Sequence, residues 1–255
     1  MSTEASLQAR TGDLRFFRTC ITVMAVVLVF GFVLQLAMGR SSFGAPLIVH
    51  LHAVAFMGWV AITVSQAWLA AGGAARFHRL LGGLAVAWMV ALAALGPLVT
   101  ISAVRTGRVP FFFQPQHLLL ADPAMLIGAV LLFACAVALR KQRDWHTRLQ
   151  VGALMMLMGP GVGRILPLPF LKPYAFEIAA VLPLAAPLIG MARDQRVHGR
   201  IHPAWLWSIG VLLSLLICAR VIALSPAGNA IYAAATAGSS ATGTDGRAFP
   251  PPPHP

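Results

Sequence analysis

Apolar residues run along this chain in long uninterrupted blocks rather than in short alternating stretches. Seven such blocks fall at roughly 20–38, 47–70, 80–103, 118–139, 149–168, 176–192 and 204–223. A helix needs about 20 mostly apolar residues to cross ~30 Å of hydrocarbon. In lipid every backbone N–H and C=O must be satisfied by protein, so blocks of this length fold as helices; a transmembrane barrel would show short alternating segments instead. The pattern predicts an all-α, polytopic membrane bundle of about seven helices. Residues 1–19 are then an N-terminal segment and 20–224 the transmembrane domain. Residues 225–255, rich in Ala, Gly, Ser and Thr and ending in a proline run, read as a disordered tail.

Composition agrees with burial in lipid. Of 255 residues 58% are hydrophobic and only 10% charged, and the mean hydropathy is +0.79. A soluble domain carries roughly a quarter charged residues, so these charges cannot cover a body facing water. The first block follows Arg10, Arg15 and Arg18 and is longer than a signal-peptide core, with no clear small-residue cleavage site after it. It is expected to remain as the first helix.

The basic residues set a direction. With the N-terminus inside, twelve Lys and Arg fall in inner segments (Arg10, Arg15, Arg18, Arg76, Arg79, Arg140, Lys141, Arg143, Arg148, Arg193, Arg196, Arg200). Five fall outside (Arg40, Arg105, Arg108, Lys172, Arg247), and Arg164 and Arg220 lie within blocks. That bias predicts an N-in, C-out protein of the bacterial inner membrane, in contact with the bilayer along its length. The net charge of +12 is spread over short loops without interleaved aromatics, which argues against nucleic acid as a partner. Three cysteines (Cys20, Cys135, Cys218), each inside a block and with no C-x-x-C, argue against a disulfide framework or a cysteine zinc site.

This direction sorts the histidines. His50, His52 and His117 fall outside; His78, His146, His198 and His202 fall inside. His52 and His117, on the second and fourth blocks, are candidates to meet near the outer face, and His78 and His146, on the third and fifth, near the inner face. Neutral imidazole is a good axial ligand for haem iron, so two stacked bis-histidine pairs would suit a b-type haem protein. Interfacial histidines beside arginine also occur simply as contacts to headgroups and water. A second polar group comprises Asp122, Arg164, Glu177 and Gln66. Asp122 precedes Pro123, so the fourth helix either starts there, with Asp122 as its cap, or begins near His117 and continues through Pro123. An unpaired charge in hydrocarbon is costly, so Arg164 is expected to pair with Asp122 or Glu177, or to snorkel. Gln66 shares one helical face with Trp59, Thr63 and His52, which should turn inward.

Two resemblances attach to these residues. The alternating histidines resemble, in architecture, the transmembrane di-haem cytochrome b proteins that oxidise ascorbate, and this implies two haems held from alternate helices. The run His52-Ala-Val-Ala-Phe-Met-Gly-Trp59, then Gln66, then His78-Arg79-Leu80-Leu81-Gly82, resembles a family of bacterial multi-pass proteins of unknown function. So do Asp122, the turn Asp144-Trp145-His146-Thr147-Arg148-Leu149, Arg164 and Arg200-Ile201-His202-Pro203. That resemblance covers about residues 47–208 and implies a fold and a location, not a reaction; Gln150 departs from it.

Three functions follow as expectations. The first is a haem-b redox protein acting beside a respiratory or haem-handling membrane complex. The second is a non-enzymatic carrier, lipid-binding or assembly factor. The third is a metal-dependent membrane hydrolase built on His198-x-x-x-His202, whose spacing would put two ligands on one helix face, but the second-block histidines lie a membrane away. No nucleophile motif, phosphate loop or carboxylate pair stands out, so no catalytic residue is assigned.

Overall fold

In a computed structural model of the chain, residues 3–40 and 44–252 are described, with side chains from Gly12 onward. The Arg10 side chain and the last three residues of the predicted tail lie outside that description. The described residues form helices and turns with no strand. The helices are α1 (Thr3–Ala37), α2 (Leu47–Ala71), α3 (Ala75–Arg105), α4 (Pro115–Ala138), α5 (Arg143–Met156), α6 (Gly159–Ile165), α7 (Ala175–Val181), α8 (Ala185–His198), α9 (Pro203–Ala223) and α10 (Pro226–Thr236). A single 3₁₀ turn, Leu182–Leu184, joins α7 to α8.

Six stretches among the described residues are long and apolar enough to cross a membrane: Gly12–Ala37, α2, α3, α4, Ala175–His198 and α9. Large apolar side chains including Val26, Val54, Leu80, Val90, Ile127 and Leu206 face outward. A soluble surface does not tolerate that much exposed hydrocarbon, whereas a lipid-facing one requires it. The protein is an all-helical, polytopic membrane bundle.

The fifth predicted block departs from a single helix. It breaks between Met156 and Gly159 into α5 and α6. Pro160 has no N–H to return to the carbonyl four residues back, and Gly159 and Gly161 on either side favour coil. The pair still runs the length of the bundle. The α5 start touches the last turn of α4, where His146 Nδ1 lies 2.8 Å from the Ala136 carbonyl. The α6 end meets the last turn of α1, where Gln35 Nε2 donates to the Arg164 carbonyl at 2.6 Å. Between these points α5 is buried on every face, from Leu149 and Val151 through Met156, as befits a central helix. α6 and α1 cross at Gly31 and Gly161: a Cβ on Gly31 would strike the Gly161 carbonyl, so only hydrogen fits.

A buried ion pair ties this centre together. Arg148 of α5 is 2% exposed and Asp194 of α8 is 1% exposed. Arg148 Nε donates to Asp194 Oδ2 at 2.8 Å and Nη2 to Oδ1 at 2.6 Å, and Trp205 Nε1 of α9 donates to Oδ2 at 2.8 Å. The guanidinium also lies 5.3 Å from the Phe17 ring of α1. Four helices thus meet at one carboxylate–guanidinium fork.

Both ends of the chain depart from the sequence expectation. α1 continues back through the predicted N-terminal segment to Thr3. The predicted disordered tail instead contains α10, capped by Ser225, whose Oγ accepts from Gly228 N at 3.3 Å. The segment folds over the ends of α3, α4 and α9. Arg105 Nη1 donates to the Ala235 carbonyl at 2.7 Å, Gln116 N to the Gly246 carbonyl at 2.8 Å and Gln114 Nε2 to the Arg247 carbonyl at 2.7 Å. Composition could not reveal this docking, because main-chain hydrogen bonds and one buried tyrosine, Tyr232, supply it rather than an apolar stripe.

Removing one partner of a buried ion pair costs roughly 3–5 kcal/mol. Asp194→Asn or Arg148→Met is therefore expected to lower the thermal unfolding midpoint in detergent sharply. The double variant Arg148→Met/Asp194→Leu should recover part of the loss, as thermal melts of all three proteins will read directly.

Candidate functional site

Two helical hairpins, α2–α3 and α4–α5, present one histidine each at the same end of the bundle. His78 is the fourth residue of α3 and His146 the fourth of α5. Each ring reaches back to the helix before it: His78 Nδ1 lies 3.2 Å from the Gln66 carbonyl of α2, and His146 Nδ1 lies 2.8 Å from the Ala136 carbonyl of α4. A carbonyl only accepts, so both rings carry their proton on Nδ1 and leave the Nε2 lone pair available. The ring centroids are 6.3 Å apart and the planes cross at 85°. Both side chains are half-buried. The fold thus brings the His78 and His146 rings close to each other.

The expected pairing of His52 with His117 is not formed. α4 starts at Pro115 and runs through Pro123 without a break, so His117 and Asp122 both lie on it. Five residues at 100° each turn them about 140° apart, onto different faces. Asp122 looks toward α3, where Thr100 Oγ1 donates to its Oδ2 at 2.6 Å. His52 lies on that side too, stacked on Phe56 at 6.0 Å and close to Gly96 of α3. His117 turns the other way, 5.4 Å from the Phe176 ring.

Arg164 does not form the expected ion pair within 4 Å. Its Nη1 donates to the Pro160 carbonyl at 2.7 Å and its guanidinium sits 4.0 Å from the Phe32 ring. Glu177 instead faces His117 Nε2 at 3.7 Å and Arg220 Nη1 at 3.6 Å. The inward stripe on α2 is present. Trp59 and Thr63 are buried, and among the described residues the shielded atoms His52 Nδ1, Trp59 Nε1 and Gln66 Oε1 have no hydrogen-bond partner.

The zinc arrangement is overturned by one glycine. α8 ends at His198, Gly199 turns into the left-handed region (φ 68°), and His202 caps α9. The two histidines are therefore not on one helix face. His198 Nε2 lies 3.3 Å from Asp13, and His202 packs on Trp145 at 5.0 Å. Among the described residues no three His, Cys, Asp or Glu converge as a metal site.

Sequence reasoning missed Asp194 altogether and counted Arg148 as a loop cation. Thr100 also went unseen, since a lone threonine in an apolar block carries no signal. Arg220 was visible as an intramembrane charge, but its partners were not.

Comparison of the chain with protein-family models, with curated proteins and with solved structures finds no match.

His202 carries a pH signature. Its Nδ1 accepts from Ala204 N at 3.2 Å, a cap that protonation would destroy. Burial, then the Arg148 charge, holds its pKa below the ordinary 6.5. A base depressed on folding contributes stability that is present above its unfolded pKa and lost as pH falls toward the folded value. The unfolding midpoint should therefore drop as pH is lowered below about 6.5, and His202→Gln should flatten that part of the profile. An unchanged profile in the variant would remove His202 from the account.

Proposed function

We propose that the protein is a bacterial inner-membrane haem protein that holds one b-type haem between His78 and His146. The bias of Lys and Arg along the chain supports placing this pair on the cytoplasmic side. The observation that carries the proposal is the ring geometry. Both rings are held through Nδ1 by a carbonyl, so each would offer an unused Nε2 lone pair to one shared group, and their centroids are 6.3 Å apart.

The donor set supports the same group. Among the described residues no third His, Cys, Asp or Glu joins the two imidazoles, which does not suit a four-coordinate structural zinc, whereas a porphyrin brings four nitrogens of its own and asks the protein for two. Haem would supply one-electron chemistry at this site. The chain's part is to hold the ligands. The Gln66 and Ala136 carbonyls fix the tautomer and the orientation of each ring, as outer partners of metal-bound histidine do. Arg76, Arg79, Arg140, Lys141 and Arg143, on the same two turns, would offset the acidic groups of the haem edge.

The placement of His52 and His117 on separate faces supports one haem, not the two-haem relay that the alternating histidines resemble. A single haem at one face suits an electron or haem donor working beside a respiratory or haem-handling membrane complex. The lipid-binding reading keeps separate support from the Glu177 cluster at the other end of the bundle.

Absorption spectra test the proposal. Protein purified from haem-replete cells should show a Soret band that shifts on dithionite reduction. His78→Ala and His146→Ala should each abolish it, while His52→Ala and His117→Ala should leave it in place. A colourless wild-type protein, or loss of colour only in the His52 variant, would overturn the assignment.

A further inference from the structure

The end of the bundle opposite His78 carries a polar cluster that the haem proposal does not use. Glu177 comes from α7, Gln114 and His117 from the α4 start, and Arg220 from the last turn of α9. Arg220 Nη1 donates to Gln114 Oε1 at 3.1 Å and points at His117 Nδ1 at 3.4 Å. Arginine only donates, so the His117 proton is on Nε2, which faces Glu177 Oε1 at 3.7 Å. Arg220 Nη1 lies 3.6 Å from the same oxygen. Both separations exceed a hydrogen bond. His117 is 4% exposed, and among the described residues its Nε2 and both Glu177 oxygens, all shielded atoms, have no hydrogen-bond partner. The Glu177 side chain is 22% exposed and faces two cationic or donor groups without taking a hydrogen bond from either, so its acceptor capacity is left for a further donor.

The chemistry of the cluster narrows the ligand. A divalent cation would find two side-chain ligands and a guanidinium beside them, a poor site. A simple anion would meet the Glu177 carboxylate. A primary ammonium supplies several N–H donors for the two unpartnered oxygens, and a linked phosphate would pair with Arg220, whose side chain stays 23% exposed. The position of the cluster indicates where such a zwitterion comes from. Ile217 and Val221, on either side of Arg220 along α9, are 62% and 61% exposed, and the Tyr174 ring lies 5.9 Å from the guanidinium. Arg220 thus stands at the border of the outward apolar surface, where headgroups meet the chain. We propose that Glu177, His117 and Arg220 form a headgroup site for a phospholipid carrying a primary ammonium beside its phosphate. This site is independent of the haem proposal.

Native mass spectrometry of the detergent-solubilised full chain tests it with four probes: palmitoyl-oleoyl phosphatidylethanolamine, the matching phosphatidylcholine and phosphatidylglycerol, and free phosphoethanolamine. The ethanolamine lipid should be retained about tenfold more than the other two lipids, because a trimethylated nitrogen has no N–H to donate and glycerol has no positive charge. Glu177→Gln and Arg220→Gln should each erase that preference at unchanged circular dichroism and elution volume; Glu177→Asp should reduce it several-fold. Equal retention of the three lipids by the wild-type protein overturns the proposal, as does a preference that survives Glu177→Gln. Tight binding of free phosphoethanolamine without lipid preference would reassign the site to a soluble zwitterion and overturn the lipid.

Discussion

The fold hangs on a guanidinium and a carboxylate buried where four helices meet. Two charges removed from water are costly, and their attraction offsets that cost only if the remaining lone pairs and protons find partners too. Here they do, since Asp194 also takes the Trp205 N–H and Arg148 also reaches the Asp144 carbonyl at 3.1 Å. The geometry of such a fork is narrow. It sets the rotation of α5 about its own axis, and that rotation in turn aims His146, two residues earlier on the same turn. A contact that looks purely structural thus positions one half of the histidine pair.

How much of this was legible in the sequence depends on which interactions are local. Six spans and their order follow from runs of apolar residues, because lipid imposes a length and a composition on each helix independently. The His78–His146 pair could be anticipated for a related reason: both residues start a helix after a short basic turn, so helix order alone decides which end they occupy. The same reasoning failed for His52 and His117. Knowing their depth says nothing of azimuth, and the 140° between His117 and Asp122 only matters once α4 is known to run unbroken through Pro123. Arg148 shows the opposite error. Read as one of twelve inner cations, it is a core residue whose partner lies 46 residues away.

The tail shows how composition misleads when docking is done by the main chain. Ala- and Gly-rich segments bury little hydrocarbon, so they score as disordered. Carbonyls at Ala235, Gly246 and Arg247 nevertheless accept from three side-chain or backbone donors on α3 and the α4 start. Gln114 takes part in both worlds, holding Arg247 with its amide nitrogen and Arg220 with its amide oxygen. The covering segment and the Glu177 cluster therefore share a residue.

The break between α5 and α6 has an electrostatic meaning for the middle of the bundle. α5 ends there with its partly negative carbonyl terminus, and α6 begins there with its partly positive amide terminus. Leu157 N and Met158 N turn back to the Leu154 and Met155 carbonyls at 3.0 and 3.1 Å, which tightens the junction. Opposite helix ends placed head to tail cancel at short range, unlike two broken helices that aim like ends at one point. The interruption therefore presents no pair of like helix ends that would draw an ion to that junction.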